Sequence, residues 1–99
     1  MKKRGLVLHG SDNVVTVLED VHQGDVVACG GAPEASEVEA REAIPFGFKM
    51  ALREIGPGEP VRKYGYPIGR AVKRVPRGAL VHVHNLEGSR GRGDLRGEP

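Results

Sequence analysis

Tryptophan is absent from this 99-residue chain, and Phe and Tyr occur only twice each. Val, Leu, Ile and Ala must therefore fill the core, and a core of that kind in so short a chain is thin and leaves much surface wet. A partner surface would help it, which points to a subunit or an oligomer. Cysteine is nearly absent as well. Cys29 stands alone, so no internal disulfide can form, and a reducing compartment is the natural reading. No apolar run approaches the length of a membrane span, and the Lys2-Lys3-Arg4 start lacks the apolar stretch of a signal peptide. These absences predict a cytoplasmic protein. Charge of one sign is lacking too: 15 basic and 13 acidic residues give +2. That near-balance, with so few aromatic rings for base stacking, argues against nucleic acid as a partner, although the basic residues gather at the two ends. Gly88-Ser89-Arg90-Gly91-Arg92-Gly93 has no following Lys-Ser/Thr and is not a phosphate loop.

Glycine and proline are plentiful, at 15 and 7 residues. Punctuation that dense excludes long helices and predicts short strands joined by turns. One phrase recurs three times: Val17, Asp20, Val21, Gly24, Val27; then Ala51, Glu54, Ile55, Gly58, Val61; then Ala71, Arg74, Val75, Gly78, Val81. Each copy reads as strand, tight turn, strand, with Gly where the backbone needs a positive φ. The copies are unevenly spaced, so this is no uniform solenoid. Strands are predicted at residues 5–9, 14–19, 26–28, 61–64, 68–72 and 80–84. Residues 49–54 are ambiguous between strand and one helical turn, and the repeat favours strand. Residues 30–40, with Pro33 and several glutamates, read as a loop. Asp12-Asn13 reads as a turn pair, and Tyr64-Gly65-Tyr66-Pro67 as a hairpin turn with Tyr64 packed on the core. The packed domain is placed at residues 1–86 and a flexible Gly/Arg-rich tail at 87–99.

Val81-His82-Val83-His84-Asn85 carries the strongest chemical signal. In a strand, alternate side chains share a face, so His82 and His84 would point the same way. Two imidazoles there could bind a metal, carry protons or meet an acidic group; equally, they could bond the main chain and stiffen the strand. Two nitrogens do not close a zinc site, so a partner would have to supply the rest. Asn85 could orient a ligand or simply end the strand. Lys49 could pair with a carboxylate or face water. His9 and His22 read as ordinary surface residues, and Cys29 as a buried apolar thiol.

Ile44-Pro45-Phe46-Gly47-Phe48-Lys49-Met50-Ala51-Leu52 resembles the phrase Ile-Pro-x-Gly-His-Lys-x-Ala-Leu. Asp12-Asn13-Val14, Gly58-Glu59-Pro60-Val61, Lys63-Tyr64-Gly65, Ile68-Gly69 and Val81-His82-Val83-His84-Asn85 stand at the matching distances. Together they resemble the SAF domain of the altronate and galactarate dehydratases, which in relatives such as the sulfolactate sulfo-lyases is a separate small subunit. The resemblance implies a mostly β fold, a small β-clip of folded-over antiparallel hairpins. It implies a small subunit of a hydro-lyase that acts on a sugar acid or related hydroxy acid with a large catalytic subunit, and a divalent metal, iron or manganese, shared with that partner. It assigns His82, His84 and Lys49 to catalysis, with the two histidines as metal ligands. Asn85, Lys63, Arg90 and Arg92 would bind substrate. The alternative is a non-catalytic SAF module that binds a sugar acid or a protein. One departure stands out: Phe48 occupies the place of the family's His and has no nitrogen with which to ligate metal or move a proton.

Overall fold

The computed structural model describes residues 2–31, 36–82 and 84–88. Among them there is no helix, and nine short strands form two sheets. They are β1 (Lys3–Leu6), β2 (Val14–Val17), β3 (Val26–Gly30), β4 (Ser36–Glu39), β5 (Lys49–Ala51), β6 (Pro60–Lys63), β7 (Tyr66–Ala71), β8 (Leu80–Val81) and β9 (Leu86–Gly88). The larger sheet has the order β4-β3-β1-β2-β5-β8, and the smaller has β6-β7-β9. All pairings are antiparallel except β1 with β3. The mostly β clip expected from the sequence is the fold.

The repeated phrase turns out to be the device that folds the hairpins over, and it occurs four times. The copy not picked out from the sequence is Ala40, Ala43, Ile44, Gly47, Met50. In every copy a four-residue turn closes with its glycine third: His22–Asp25, Pro45–Phe48, Gly56–Glu59 and Pro76–Ala79, at N···O distances of 3.0 to 3.1 Å. Gly24, Gly47, Gly58 and Gly78 have φ of +91°, +87°, +80° and +86°, the left-handed region that a type II turn requires at this position. The copies then pair. Val21 and Ile44 exchange two main-chain hydrogen bonds, and so do Ile55 and Val75. Around the first clasp Gly24 N donates to Ala40 O and Gly47 N to Val17 O; around the second, Gly58 N donates to Ala71 O and Gly78 N to Ala51 O. Each clasp is thus a reciprocal pair of arms.

Each clasp closes one lobe of the core. Val21 and Ile44 lie with Val15, Val17, Val27 and Met50 in the first, while Ile55 and Val75 lie with Val14, Val61 and Val81 in the second. Strand β2 divides the two, because Val14 faces the second lobe and Val15 and Val17 the first, as strand alternation demands. Burying one such side chain contributes roughly 1.5–3 kcal/mol. The aliphatic core expected from composition is what fills both lobes.

Several local expectations are corrected. Residues 36–39, read as part of a loop, form β4 on the edge of the larger sheet, with Val38 buried between exposed Glu37 and Glu39. The last predicted strand ends at Val81 rather than His84, because His82–Asn85 is a turn closed by Asn85 N on His82 O (3.0 Å). Tyr64 is 54% exposed and sits at the hairpin tip instead of packing on the core. Tyr64 and Gly65, with φ of 58° and 80°, form the two-residue loop between β6 and β7. Asp12 and Asn13 are more than a turn pair. The Asp12 carboxylate accepts from Tyr64 N (3.1 Å) and Gly65 N (2.8 Å), and the Asn13 amide stitches β2 to β6. Glu87 and Gly88 belong to β9, while the tail beyond them, with Arg90 and Arg92, lies outside the described residues.

Candidate functional site

The end of β5 and the turn after β8 bring the predicted residues together. Lys49 opens β5, with Thr16 of β2 and Val81 of β8 as its cross-strand neighbours. Phe48 precedes it, partly buried against the first lobe. His82 leaves β8 one residue after Val81, and its ring meets that of Phe48 at 4.8 Å between centroids, with the planes tilted by 53°. The Phe that stands in the place of the family's His therefore packs directly on the first imidazole of the motif. Ring pairs in this tilted geometry contribute about 0.5–1.5 kcal/mol beyond the area they bury.

Asn85 sets the backbone of this turn. It is 4% exposed. Its Oδ1 accepts from His82 N (2.9 Å), its Nδ2 donates to Leu80 O (2.7 Å), and its own carbonyl accepts from Val72 N (3.0 Å). Both ends of the side-chain amide are engaged by the main chain, so Asn85 acts here by positioning His82. His84, at the third position of the same turn, is exposed. The strand alternation that would have set the two rings on one face is absent, because strand geometry has already ended.

Lys63 stands at the end of β6, in the smaller sheet. Its Nζ lies 4.8 Å from the centroid of the Tyr64 ring, a cation–π contact. Burial, and then the neighbouring positive charge of Lys63, hold the Lys49 amine below the ordinary lysine range. Among the described residues neither lysine has a carboxylate partner. Sequence reading singled out both lysines, which stand on strands of different sheets.

The other histidines, His9 and His22, are exposed, as expected. His9 Nδ1 accepts from Ser11 N (3.1 Å), and His22 lies beside Asp25. A cleft of about 660 Å³ opens elsewhere, beside β4, and none of the predicted site residues lines it. Among the described residues no three His, Cys, Asp or Glu side chains gather as a metal would require. The donor set among the described residues therefore does not make a self-contained metal centre. His82 and His84 could fill at most two positions of one, and the other ligands would have to come from a partner.

Residues 3–89 match the family model described as the altronate/galactarate dehydratase SAF domain. The chain belongs to that family. This SAF domain is 35% identical over 88 residues to the alpha subunit of the (2R)-sulfolactate sulfo-lyase of Chromohalobacter salexigens, covering 85% of this chain and 94% of that one. It is 34% identical over 85 residues to the altronate dehydratase of Bacillus subtilis, covering 86% of this chain but 16% of the enzyme. With the altronate dehydratase of Escherichia coli the identity is 37% over 78 residues, covering 79% of this chain and 15% of the enzyme. The SAF domain thus spans about one-sixth of the altronate dehydratases and nearly all of the sulfo-lyase subunit. These relatives are lyases or a subunit of one. No helix among the described residues is long and apolar enough to cross a membrane.

Proposed function

We propose that this chain is the small subunit of a hydro-lyase that acts on a sugar acid or related hydroxy acid together with a large catalytic subunit. One observation carries the reading: the match to a separately encoded lyase subunit runs over 94% of that subunit's length. The chemistry of the region around Lys49 supports it. Elimination of water from a hydroxy acid breaks the C–H bond α to the carboxylate. The electron pair forms the C=C bond, the β C–O bond breaks, and the departing hydroxyl takes up a proton to leave as water. Where the α carbon also carries a hydroxyl, the product is an enol, which tautomerises to a ketone. Negative charge builds on the carboxylate as the α proton leaves. Ammonium groups held beside that carboxylate stabilise this charge most where water is thin. Lys49 and Lys63 are suited to that role, being half-buried and free of carboxylate partners among the described residues.

His82, seated on Phe48 and fixed through Asn85, is suited to carry the proton to the departing hydroxyl. His84, exposed in the same turn, would assist it. The large subunit would supply the base for the α proton, and any divalent metal would take most of its ligands from there. Arg90 and Arg92, in the glycine-rich tail, would dock on the large subunit or close over the substrate.

The test is co-expression with a large-subunit candidate from an adjacent reading frame, then an assay across sugar acids. The two chains should co-purify and turn substrate over, the small chain alone should be inactive, and His82→Ala should lower kcat in the complex. Turnover by the isolated chain, or full activity of the large subunit alone, would overturn the proposal. A second reading, a non-catalytic module that binds a sugar acid, is favoured by the Phe48 substitution alone. It predicts binding of the acid with no effect of this chain on any partner's turnover.

A further inference from the structure

We infer that Phe48 is the positioning residue of this site: its ring, and not a hydrogen bond to either imidazole nitrogen, sets the orientation of His82. The inference rests on, and deepens, the proposed role of His82 as proton carrier. Its first support is what the imidazoles touch. His9 Nδ1 accepts from Ser11 N and meets Ser11 Oγ at 2.9 Å, and His22 Nδ1 lies 3.6 Å from Asp25 Oδ2. His82 is half-buried, yet among the described residues neither of its ring nitrogens has a hydrogen-bond partner. What it has is the Phe48 ring, 4.8 Å away between centroids. An imidazole that does chemistry is commonly aligned by a carboxylate or carbonyl on its second nitrogen, and that nitrogen is then occupied. A ring contact aligns the imidazole and leaves both nitrogens open.

The second support is the backbone beneath the contact, which is fixed on both sides and leaves only side-chain torsions to settle. Phe48 N donates to Pro45 O (3.0 Å), and Phe48 O accepts from Val17 N (3.0 Å). His82 N donates to Asn85 Oδ1 (2.9 Å), and His82 O accepts from Asn85 N (3.0 Å). Phe48 also packs against the first lobe of the core. Its ring is therefore the anchored member of the pair, and the His82 ring is the guided one.

The clasps explain why position 48 can carry a ring at all. In two of the four glycine turns the fourth side chain serves the first residue's N–H: Asp25 Oδ2 accepts from His22 N (2.8 Å), and Glu59 Oε1 accepts from Gly56 N (2.9 Å). The turn that ends at Phe48 begins with Pro45, which has no N–H to satisfy. Its fourth side chain is released from capping and is free to meet His82. In the corresponding turn of the second clasp, which begins with Pro76, the released fourth residue is Ala79, buried in the second lobe.

The experiment reads the full chain by NMR with ¹³C-labelled His and Phe, and then the complex with its large subunit by steady-state kinetics. In the parent chain the His82 ring protons should show proton–proton contacts to the Phe48 ring and ring-current shifts that exposed His84 lacks. Phe48→Leu should bring the His82 signals towards those of His84 and lower kcat in the complex about two- to tenfold, the size of one ring contact, with KM nearly unchanged. Phe48→Tyr, which keeps the ring, should restore both. Phe46→Leu, at the exposed second position of the same turn, should alter neither. A parent chain with no contact between the two rings, or a Phe48→Leu chain with parental His82 signals, would overturn the positioning role without any assay. A ring contact that Phe48→Leu abolishes, in a chain that supports no turnover with any large subunit, keeps the positioning role and loses the lyase reading. Turnover that falls in His82→Ala but stays at the parental kcat in Phe48→Leu does the reverse.

Discussion

Replacing Asn13 with alanine would cut the stitch between the two sheets. Asn13 is 1% exposed, and both ends of its amide are used: Nδ2 donates to Pro60 O (2.9 Å), and Oδ1 accepts from Arg62 N (2.7 Å). The side chain thus imitates a strand partner for β6. Alanine leaves the Pro60 carbonyl and the Arg62 N–H unpaired where water has poor access. Each orphaned group costs about 1–3 kcal/mol, so the expected loss is about 2–6 kcal/mol, a large share of the roughly 5–15 kcal/mol typical of a domain. Urea unfolding should show a lowered midpoint with an unchanged m-value. Asn13→Asp sharpens the test. Its ionised form cannot donate to Pro60 O, whereas its protonated form can, so burial and that carbonyl should raise its folded pKa above the ordinary value of about 3.9. Between the two values the folded chain holds more protons than the unfolded one, so stability falls as pH rises through that window. The Asp variant should therefore stand closer to the parent at pH 4 than at pH 7. An alanine loss below about 0.5 kcal/mol, on the surface scale, would refute the stitch. So would an Asp variant whose deficit is the same at both pH values.

Three further outcomes follow from the same structure. Gly58→Ala should cost about 1 kcal/mol, because its φ is +80° but a Cβ would meet open space. Gly78→Ala should cost at least twice as much, because a Cβ there would overlap the Glu39 carbonyl oxygen; equal losses in thermal unfolding would remove that close approach from the account. The carboxyls of Glu54 and Glu59 are held below the usual range, Glu54 first by its hydrogen bond from Arg74 and Glu59 first by that from Gly56 N, then Arg53. A depressed folded pKa gives stability that is present above the unfolded value and lost as pH falls through the folded one, so Glu59→Gln should flatten the acid limb below about pH 4.5. An unchanged limb would contradict this. Lys49 has the opposite consequence. Its amine sits below the ordinary value, so the charged form weighs against the folded state at neutral pH, and the weight lifts as pH rises through the folded value. Lys49→Met should be more stable than the parent at pH 7, with a gap that narrows towards pH 10; a less stable variant in urea would refute it.

The clip was legible because its mechanism is local. A glycine that must take a positive φ, with an apolar bridge residue three positions before it, leaves the same trace at residues 21–24, 55–58 and 75–78. The copy at 44–47 escaped notice because Ala40 lay in a stretch read as a loop and its last anchor is Met50 rather than Val. Strand β4 was hidden for a related reason: an edge strand needs only one buried face, and a single residue, Val38, provides it between two glutamates. The histidine motif misled in geometry. Leu80 to His84 has the composition of a strand, but Asn85 folds back to Leu80 O and His82 N and ends the strand at Val81. Side-chain to main-chain bonds of this kind compete with sheet ladders and leave no mark in β-propensity. The seat of His82 on Phe48 depends on packing between distant segments, which no local pattern reports.

The clasps have a kinetic consequence. Neither arm of a clasp means anything alone: Val21 must find Ile44, and Ile55 must find Val75, before either turn is braced by its opposite number. Asn13 must reach a segment 49 residues away. A chain assembled from such remote partners folds on the scale of milliseconds to seconds, far slower than helices of equal length. While it searches, valine-rich segments such as Val14–Val17 are naked to one another across molecules. Renaturation should therefore succeed at low protein concentration and fail by aggregation at high, whatever the final stability.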